Sequence, residues 1–349
     1  MADVAGKTPQ EKRAATPPGC GAGPSLVDGF GRRMKYLRVS ATDRCNFRCT
    51  YCRPAVEKFK RHDELLTFEE IEKIVRLMAG LGLSKLRLTG GEPLVRKGII
   101  DLVAMLAAVP GIEDMAMTTN GVFLDKYAVG LKDAGLKRIN VSLDTLKSER
   151  FERLTRGGDI NKVFAGLDAS AGAGLLPIKL NAVLMKGFND DEVADLIDFA
   201  SERGFTMRFI ECMPMRDGME WKDNFISVDD ILARPDVAER VDVTKAPKRS
   251  NAPSIYLPLR SGTGDVGFIT PMSRRFCEDC NRLRLTADGR LRACLPSDKD
   301  LDLKAAFNAG GAPDELEAMI RRAVLLKPEA GEYNYNESGH GRDMVEIGG

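Results

Sequence analysis

Three cysteines, Cys45, Cys49 and Cys52, lie in the stretch "TDRCNFRCTYC" with the spacing C-x3-C-x2-C. A second set, Cys277, Cys280 and Cys294, is spaced C-x2-C-x13-C. Clustered thiolates bind zinc or iron–sulfur clusters, and both usually take four protein ligands. Here each set stops at three. His62 offers a fourth ligand to the first set, so spacing alone leaves zinc and a cluster open there. No histidine lies near the second set. Two sets that each lack one ligand are hard to reconcile with structural zinc, which closes its tetrahedron. They match two four-iron clusters better, each keeping one iron open to a small molecule. The chain has eight cysteines, an even count that also admits disulfides. With no secretory signal in a chain of this size, metal ligation is the commoner use.

Around these cysteines, strand-like and helix-like segments alternate. Strands are predicted at 34–40, 84–91, 112–118, 136–144, 177–187 and 205–215. Helices are predicted at 67–82, 97–108, 124–134, 148–174 and 189–204. Thr67 and Glu70 form a capping box, and Asn189 with Glu192 at N3 opens the last helix. This alternation predicts parallel strands wrapped by helices, an α/β incomplete (βα)6 TIM-like barrel. Its polar words, "DRC", "TGGEP", "TTNG", "SLD" and "ECMPM", sit at strand carboxyl ends, the active face of such barrels. Six units leave one side open, which suits a large substrate.

Net charge is +1, with 43% hydrophobic and 30% charged residues in 349. That balance gives no general pull toward nucleic acid or anionic membrane. Residues 1–30 read as a disordered tail without a signal-peptide core, and no run approaches a membrane span. The expected location is therefore cytoplasmic. The expected organisation is tail 1–30, barrel 31–215, connector 216–262 and C-terminal region 263–349. Cys20 falls in the tail and Cys212 in the sixth strand, neither with a role.

"RLRLTADGRLRACL" alternates polar and apolar residues and reads as a β-hairpin. A three-residue loop at Ala287-Asp288-Gly289 sets Arg284 opposite Arg292. It gathers Arg282, Arg284, Arg290 and Arg292 on one face, with Leu283, Leu285 and Leu291 on the other. Arginine forks suit phosphate oxygens, although a solvated arginine face is also common. Arg38, Arg87 and Lys179 lie within predicted strands, where an inward charge is costly unless paired.

The stretch "CNFRCTYC", with "TGGEP" after a later strand, resembles the radical S-adenosylmethionine enzymes. The second triad, its surrounding "NRLRLTADGRLRACL" and the terminal Ile347-Gly348-Gly349 narrow the resemblance to the GTP 3′,8-cyclase family. The resemblance covers residues 30–349 and implies a radical-type partial barrel whose C-terminal extension carries a second iron–sulfur site. It implies two [4Fe-4S] clusters, on Cys45, Cys49 and Cys52 and on Cys277, Cys280 and Cys294. S-adenosylmethionine would bind the first cluster and be split to a 5′-deoxyadenosyl radical. Tyr51, Gly91, Ser142 and Met213 match positions contacting that cofactor. Arg38, Arg87, Thr118, Lys179, Arg282, Leu283 and Arg284 match positions contacting GTP. Guanine would meet the second cluster, and the Gly348-Gly349 tail would reach the active site. The implied reaction converts GTP to (8S)-3′,8-cyclo-7,8-dihydroguanosine 5′-triphosphate, the first step of molybdenum cofactor biosynthesis. An external electron donor and a downstream cyclic pyranopterin monophosphate synthase would be its partners, and the enzyme would be a monomer or homodimer. Two rival readings are a radical peptide-modifying enzyme with an auxiliary cluster and a non-catalytic zinc-binding module.

Overall fold

Strand β1 (Tyr36–Ser40) alternates Leu37 and Val39, both fully buried, with Tyr36 and Arg38. The same phase recurs in β2 (Lys85–Thr89), β3 (Asp114–Thr119), β4 (Arg138–Ser142), β5 (Lys179–Leu184) and β6 (Thr206–Glu211). Their buried sets include Leu86 and Leu88, Met115 and Met117, Ile139 and Val141, Leu180 and Ala182, and Met207 and Phe209. A period of two sends these sets to one face of the sheet and the polar residues to the other. The six strands are parallel neighbours in chain order. Helices α1 (Phe68–Gly80), α2 (Ile99–Ala107), α3 (Leu124–Asp133), α4 (Ser148–Thr155), α5 (Ile160–Gly172) and α6 (Val193–Glu202) connect them. The computed structural model describes residues 25–52, 59–215, 221–249, 253–331 and 344–348. The fold is the α/β partial barrel with a C-terminal extension that the alternation predicts.

Several expectations are refined. The capping box of Thr67 and Glu70 is present. Residues 148–174 form two helices, α4 and α5, because Arg156 (φ 58°) and Gly157 (φ 109°) turn the chain in the left-handed region. Asn189 and Glu192 make no capping box. Asn189 is buried and donates through Nδ2 to the carbonyls of Asp144 (2.7 Å) and Val183 (2.9 Å). Glu192, also buried, accepts from Thr145 and from the Leu146 N–H at 2.9 Å. Both therefore lock the β4 and β5 ends together. The tail is shorter than composition suggests. Leu26 is 1% exposed and its N–H donates to the Leu81 carbonyl. Residues 1–24 lie outside the described residues.

The C-terminal half extends the sheet at both edges. Strands β7 (Lys248–Arg249), β8 (Ser254–Pro258) and β9 (Asp265–Ile269) continue from β6, with β9 parallel to it. Strands β10 (Arg282–Leu285), β11 (Arg290–Arg292) and β12 (Asp300–Asp302) continue from β1, with β10 parallel to it. One twelve-stranded sheet results, in the order β12-β11-β10-β1-β2-β3-β4-β5-β6-β9-β8-β7. The stretch read as a connector thus supplies two sheet strands, β7 and β8. Pro235, Pro247 and Pro253, in a charge-rich stretch, obscured them; proline is tolerated near a sheet edge. The hairpin has the three-residue loop, with the Thr286 N–H donating to the Arg290 carbonyl (2.9 Å) and Arg284 opposite Arg292. Among the described residues, no helix is long and apolar enough to cross a membrane.

Glu211, fully buried at the end of β6, ties the barrel to the following segment. It accepts from the N–H groups of Met272 (3.0 Å) and Ser273 (2.9 Å), from the Ser273 hydroxyl and from the Val228 N–H (3.3 Å). Removing it strands four donors. Glu211→Ala is expected to lower the unfolding free energy by about 3 kcal/mol. The check is a urea titration with a lower midpoint and unchanged slope.

Candidate active site

The first cysteine loop leaves β1 and lies on the glycine corner after β2. The Gly91 N–H donates to the Thr42 carbonyl (2.7 Å) and the Glu92 N–H to that of Arg44 (2.8 Å). A Cβ at Gly90 would stand 2.6 Å from the Thr42 oxygen, and one at Gly91 2.3 Å from the Arg44 oxygen. Glycine is required here first by the cysteine loop itself. With the Gly91 N–H engaged, its carbonyl is the group that can meet an ammonium. Glu92, 1% exposed, accepts from the Leu94 N–H (3.1 Å), the Thr119 hydroxyl (2.7 Å) and the Asn120 N–H (2.7 Å). Asn120 in turn donates to Asn46 (2.8 Å) inside the cysteine loop. Tyr51, between two cysteines, donates to Asp144 Oδ2 (2.9 Å), while the Val183 N–H donates to Asp144 Oδ1 (2.7 Å). Burial pushes the Asp144 carboxyl up to about 6 despite these two bonds. Ser142 and Met213 stand at the ends of β4 and β6, on the same rim.

The second triad gathers around the start of β10. The Cys280 N–H donates to the Cys277 carbonyl (3.1 Å), and the Gly331 N–H points at Cys277 Sγ (3.4 Å). A Cβ at Gly331 would lie 3.3 Å from Cys294 Sγ. The Arg282 guanidinium stands 3.9 Å from Cys280 Sγ. Burial alone would raise the Cys280 thiol, but the charges of Arg282 and Lys327 outweigh it and bring it down to about 6. In the first loop, the Phe47 N–H points at Cys45 Sγ (3.4 Å). Donors aimed at sulfur and a depressed thiol suit metal-bound thiolates. Among the described residues, no three His, Cys, Asp or Glu side chains converge closely enough to hold one metal ion. A single zinc ion needs its ligands about 2 Å from one centre. His62 is exposed in the turn His62–Glu64. Cys212 is buried, and burial pushes its thiol up to about 12.

Between the triads, the face of the sheet opposite the helices is cationic. Arg284, Arg38 and Arg87 are register partners across β10, β1 and β2. The next residue outward in the row, Arg292, is 1% exposed and is held by Asp300 at 2.8 and 3.0 Å. Asn140 pairs with Lys179, and Asn181 with Arg208, on the same face. Thr118, beside Asn140, shares it. Burial, then the charge of Arg284, pushes the Arg38 guanidinium well below its ordinary range. Burial brings Arg208 down to about 10. Arg87 Nη1, Asn140 Oδ1, Asn181 Oδ1 and Arg208 Nε are buried with no hydrogen-bond partner. Buried polar atoms in native proteins are nearly always satisfied, so this array is arranged for a polar ligand.

Arg38, Arg87, Thr118, Lys179, Arg282 and Arg284, which the resemblance marks as nucleotide contacts, share one face of the sheet by register. Leu283 is different: its side chain is fully buried in the apolar core on the other face, so only its backbone can reach a ligand. Gly348 lies at the array, its carbonyl accepting from Thr89 Oγ1 (2.9 Å) and Arg38 Nη2 (3.1 Å). Gly349 lies outside the described residues. Arg208, Tyr36 and Tyr256 were missed. The Tyr36 hydroxyl accepts from Arg87 Nε (2.8 Å), and Lys179 Nζ donates to the Tyr256 hydroxyl (2.9 Å). Burial would raise the Tyr36 phenol, but the charges of Arg87 and Arg38 bring it down to about 8. Alternation could have found Tyr36, two residues before Arg38, whereas Tyr256 lay in the presumed connector.

Residues 39–200 match the family described as the Radical SAM superfamily, and residues 205–333 the one described as Molybdenum Cofactor Synthesis C. GTP 3′,8-cyclase of Moorella thermoacetica is 47% identical over 326 residues, covering 93% of this chain and 100% of that protein. The chain belongs to the GTP 3′,8-cyclase family. The family's enzyme from Alkaliphilus oremlandii is 43% identical over 329 residues, again covering 93% and 100%. Streptococcus suis SuiB, solved bound to S-adenosylmethionine, superposes with a TM-score of 0.57 over 90% of this chain and 77% of its own. At 15% identity that likeness is one of fold. In this GTP 3′,8-cyclase family member, the two matched regions pair at β5 with β6 and at β1 with β10, the two ends of the cationic face.

Burial raises the Glu92 carboxyl to about 7, against the pull of its three hydrogen-bond donors. The native state therefore holds that proton more tightly than the unfolded chain. Its contribution to stability is complete below the unfolded value of about 4.3 and is lost as pH rises through about 7. Urea unfolding at about pH 5 and about pH 8 should show a larger loss for wild type than for Glu92→Gln. Gly91→Ala should bind less iron than wild type on anaerobic reconstitution, because the cysteine loop is displaced.

Proposed function

We infer that this chain is a radical S-adenosylmethionine enzyme that converts GTP to (8S)-3′,8-cyclo-7,8-dihydroguanosine 5′-triphosphate, the first step of molybdenum cofactor biosynthesis. The observation that carries the reading is the inward row Arg284–Arg38–Arg87, lying between two cysteine triads. Cys45, Cys49 and Cys52 would hold one [4Fe-4S] cluster, and Cys277, Cys280 and Cys294 the second. When bound, the first cluster and S-adenosylmethionine would supply hydrogen-abstraction chemistry at C3′ of the ribose, with the external donor supplying the electrons for sulfonium cleavage and for completing the cyclised product.

The protein's part is to bind, orient and shield. Arg38, Arg87, Lys179, Arg208, Arg282 and Arg284 are the cations available to a triphosphate, and Thr118, Asn140 and Asn181 are polar partners on the same face. Each cation gives up part of its mutual repulsion when an anion enters. Tyr51, Ser142, Met213 and the Gly91 carbonyl line the end where S-adenosylmethionine would bind. Asp144 fixes Tyr51 and Glu92 fixes the glycine corner, so both act by positioning. Gly348 stands beside Arg38, and the tail that carries it would help to exclude water. Guanine would approach the second cluster through Arg282, Arg284 and the backbone of Leu283. An external electron donor and a downstream cyclic pyranopterin monophosphate synthase complete the reading, with the enzyme a monomer or homodimer. Six inward cations do not suit a neutral peptide, which disfavours the peptide-modifying alternative.

The test is anaerobic incubation of the reduced, reconstituted protein with GTP and S-adenosylmethionine. Both 5′-deoxyadenosine and a cyclised guanosine triphosphate are expected. Formation of deoxyadenosine with GTP left intact would overturn the substrate assignment. Arg87→Met should weaken GTP binding about tenfold or more, or about 1.4 kcal/mol, in equilibrium titration.

A further inference from the structure

Lys327 is 3% exposed. Lysine is almost never so buried unless paired, and here its ammonium is spent on two backbone carbonyls. Nζ donates to the carbonyl of Arg282 at 2.9 Å and to that of Ala293 at 2.6 Å. Arg282 lies two residues after Cys280, and Ala293 immediately precedes Cys294. The ammonium thus bridges the two chain segments that carry two of the three thiols. Cys280 and Cys294 face it as attracting groups, and Arg282 as a repelling one.

The lysine cannot swing away. It follows the helix Pro313–Leu325, and its N–H donates to the Val324 carbonyl (3.1 Å). The next two carbonyls, of Pro328 and Glu329, accept from Arg32 at 2.6 and 2.9 Å. Arg32 also donates to the Cys277 carbonyl (2.6 Å) and is anchored by Asp28 (2.6 Å). Two residues on, the Gly331 N–H points at Cys277 Sγ. Residues 327–331 therefore form a strap across the triad, with a fixed positive charge at one end.

We propose that Lys327 is a positioning residue of the second triad whose buried charge sets the redox behaviour of the cluster held there. This rests on the reading that Cys277, Cys280 and Cys294 carry a four-iron cluster. Reduction adds one electron from the external donor and makes the cluster more negative. A cation beside the thiolates stabilises the reduced form and raises the potential, since net charge and sulfur hydrogen bonds set such potentials.

The experiment uses the full chain with Cys45→Ala, Cys49→Ala and Cys52→Ala, so that only the second triad gives a signal. Dithionite titration is followed by electron paramagnetic resonance, with iron counted in parallel. Lys327→Met should lower the equilibrium constant for reduction about tenfold, a potential about 59 mV more negative for one electron. Lys327→Arg, which keeps the charge, should stay near the parent. If Lys327→Met cannot hold iron while Lys327→Arg can, the charge is needed even to assemble the cluster, which also supports the proposal. The proposal is overturned if Lys327→Met titrates with the parent, if Lys327→Arg shifts as far, or if both variants lose their iron. A parent protein with no iron at the second triad would instead overturn the two-cluster reading itself.

Discussion

The structure depends on like charges being packed together on one face of the sheet. Arg284, Arg38 and Arg87 occupy matched positions in three adjacent parallel strands, and neighbouring strands run about 4.8 Å apart. Like charges facing each other across a sheet are destabilising, and enclosure makes the cost larger. The opposite face supports the arrangement: Leu37, Val39, Leu86 and Leu88 are all at most 1% exposed. Apolar packing on the helical side holds the strands in a register that packs the cations together. The outermost arginine of the row, Arg292, has its own carboxylate in Asp300, which marks where the array ends. Binding of a polyanion and stability of the fold are therefore one problem, and the protein sacrifices stability where it needs affinity.

The two cysteine loops share a second principle. Neither is a regular element, and both are held by groups from distant parts of the chain. The first is pinned by the glycine corner after β2, by Asp144 through Tyr51 and by Asn120 through Asn46. The second is pinned by Arg32 from before β1 and by the strap that follows the last described helix. Sulfur ligands placed this way keep their geometry through backbone bonds, so side chains on the inner face remain available to ligands.

The legible parts of this molecule are those governed by short periods. Alternation in "MKYLRVS" and "SKLRLTGG" gave the strands, and the alternation in "RLRLTADGRLRACL" gave the hairpin register that the pairing of Arg284 with Arg292 bears out. What escaped depends on contacts distant in sequence. Asn189 and Glu192 carry the letters of a helix cap, yet their partners lie on β5 and in the turn after β4, which no helix-cap pattern reveals. Arg208 shares the phase of Thr206 on β6, but its inward direction is set by the twelve-strand order. β8 was hidden because flanking prolines signal a loop, and Tyr256 was lost with it. Lys327 belongs to none of the sequence motifs; only the fold shows it to be buried.

The strand order also bears on how the molecule is made. The partner of β1 on its free side is β10, which lies most of the chain away, and β6 must likewise wait for β9. Contacts so far apart in sequence slow folding, because a long loop has to close before they form. A nascent chain bearing the first six strands would present two unpaired edges, a template for aggregation. Synthesis of the later strands seals both edges and brings the second triad to the first in the same event. The second cysteine triad therefore reaches the sheet only in this late step.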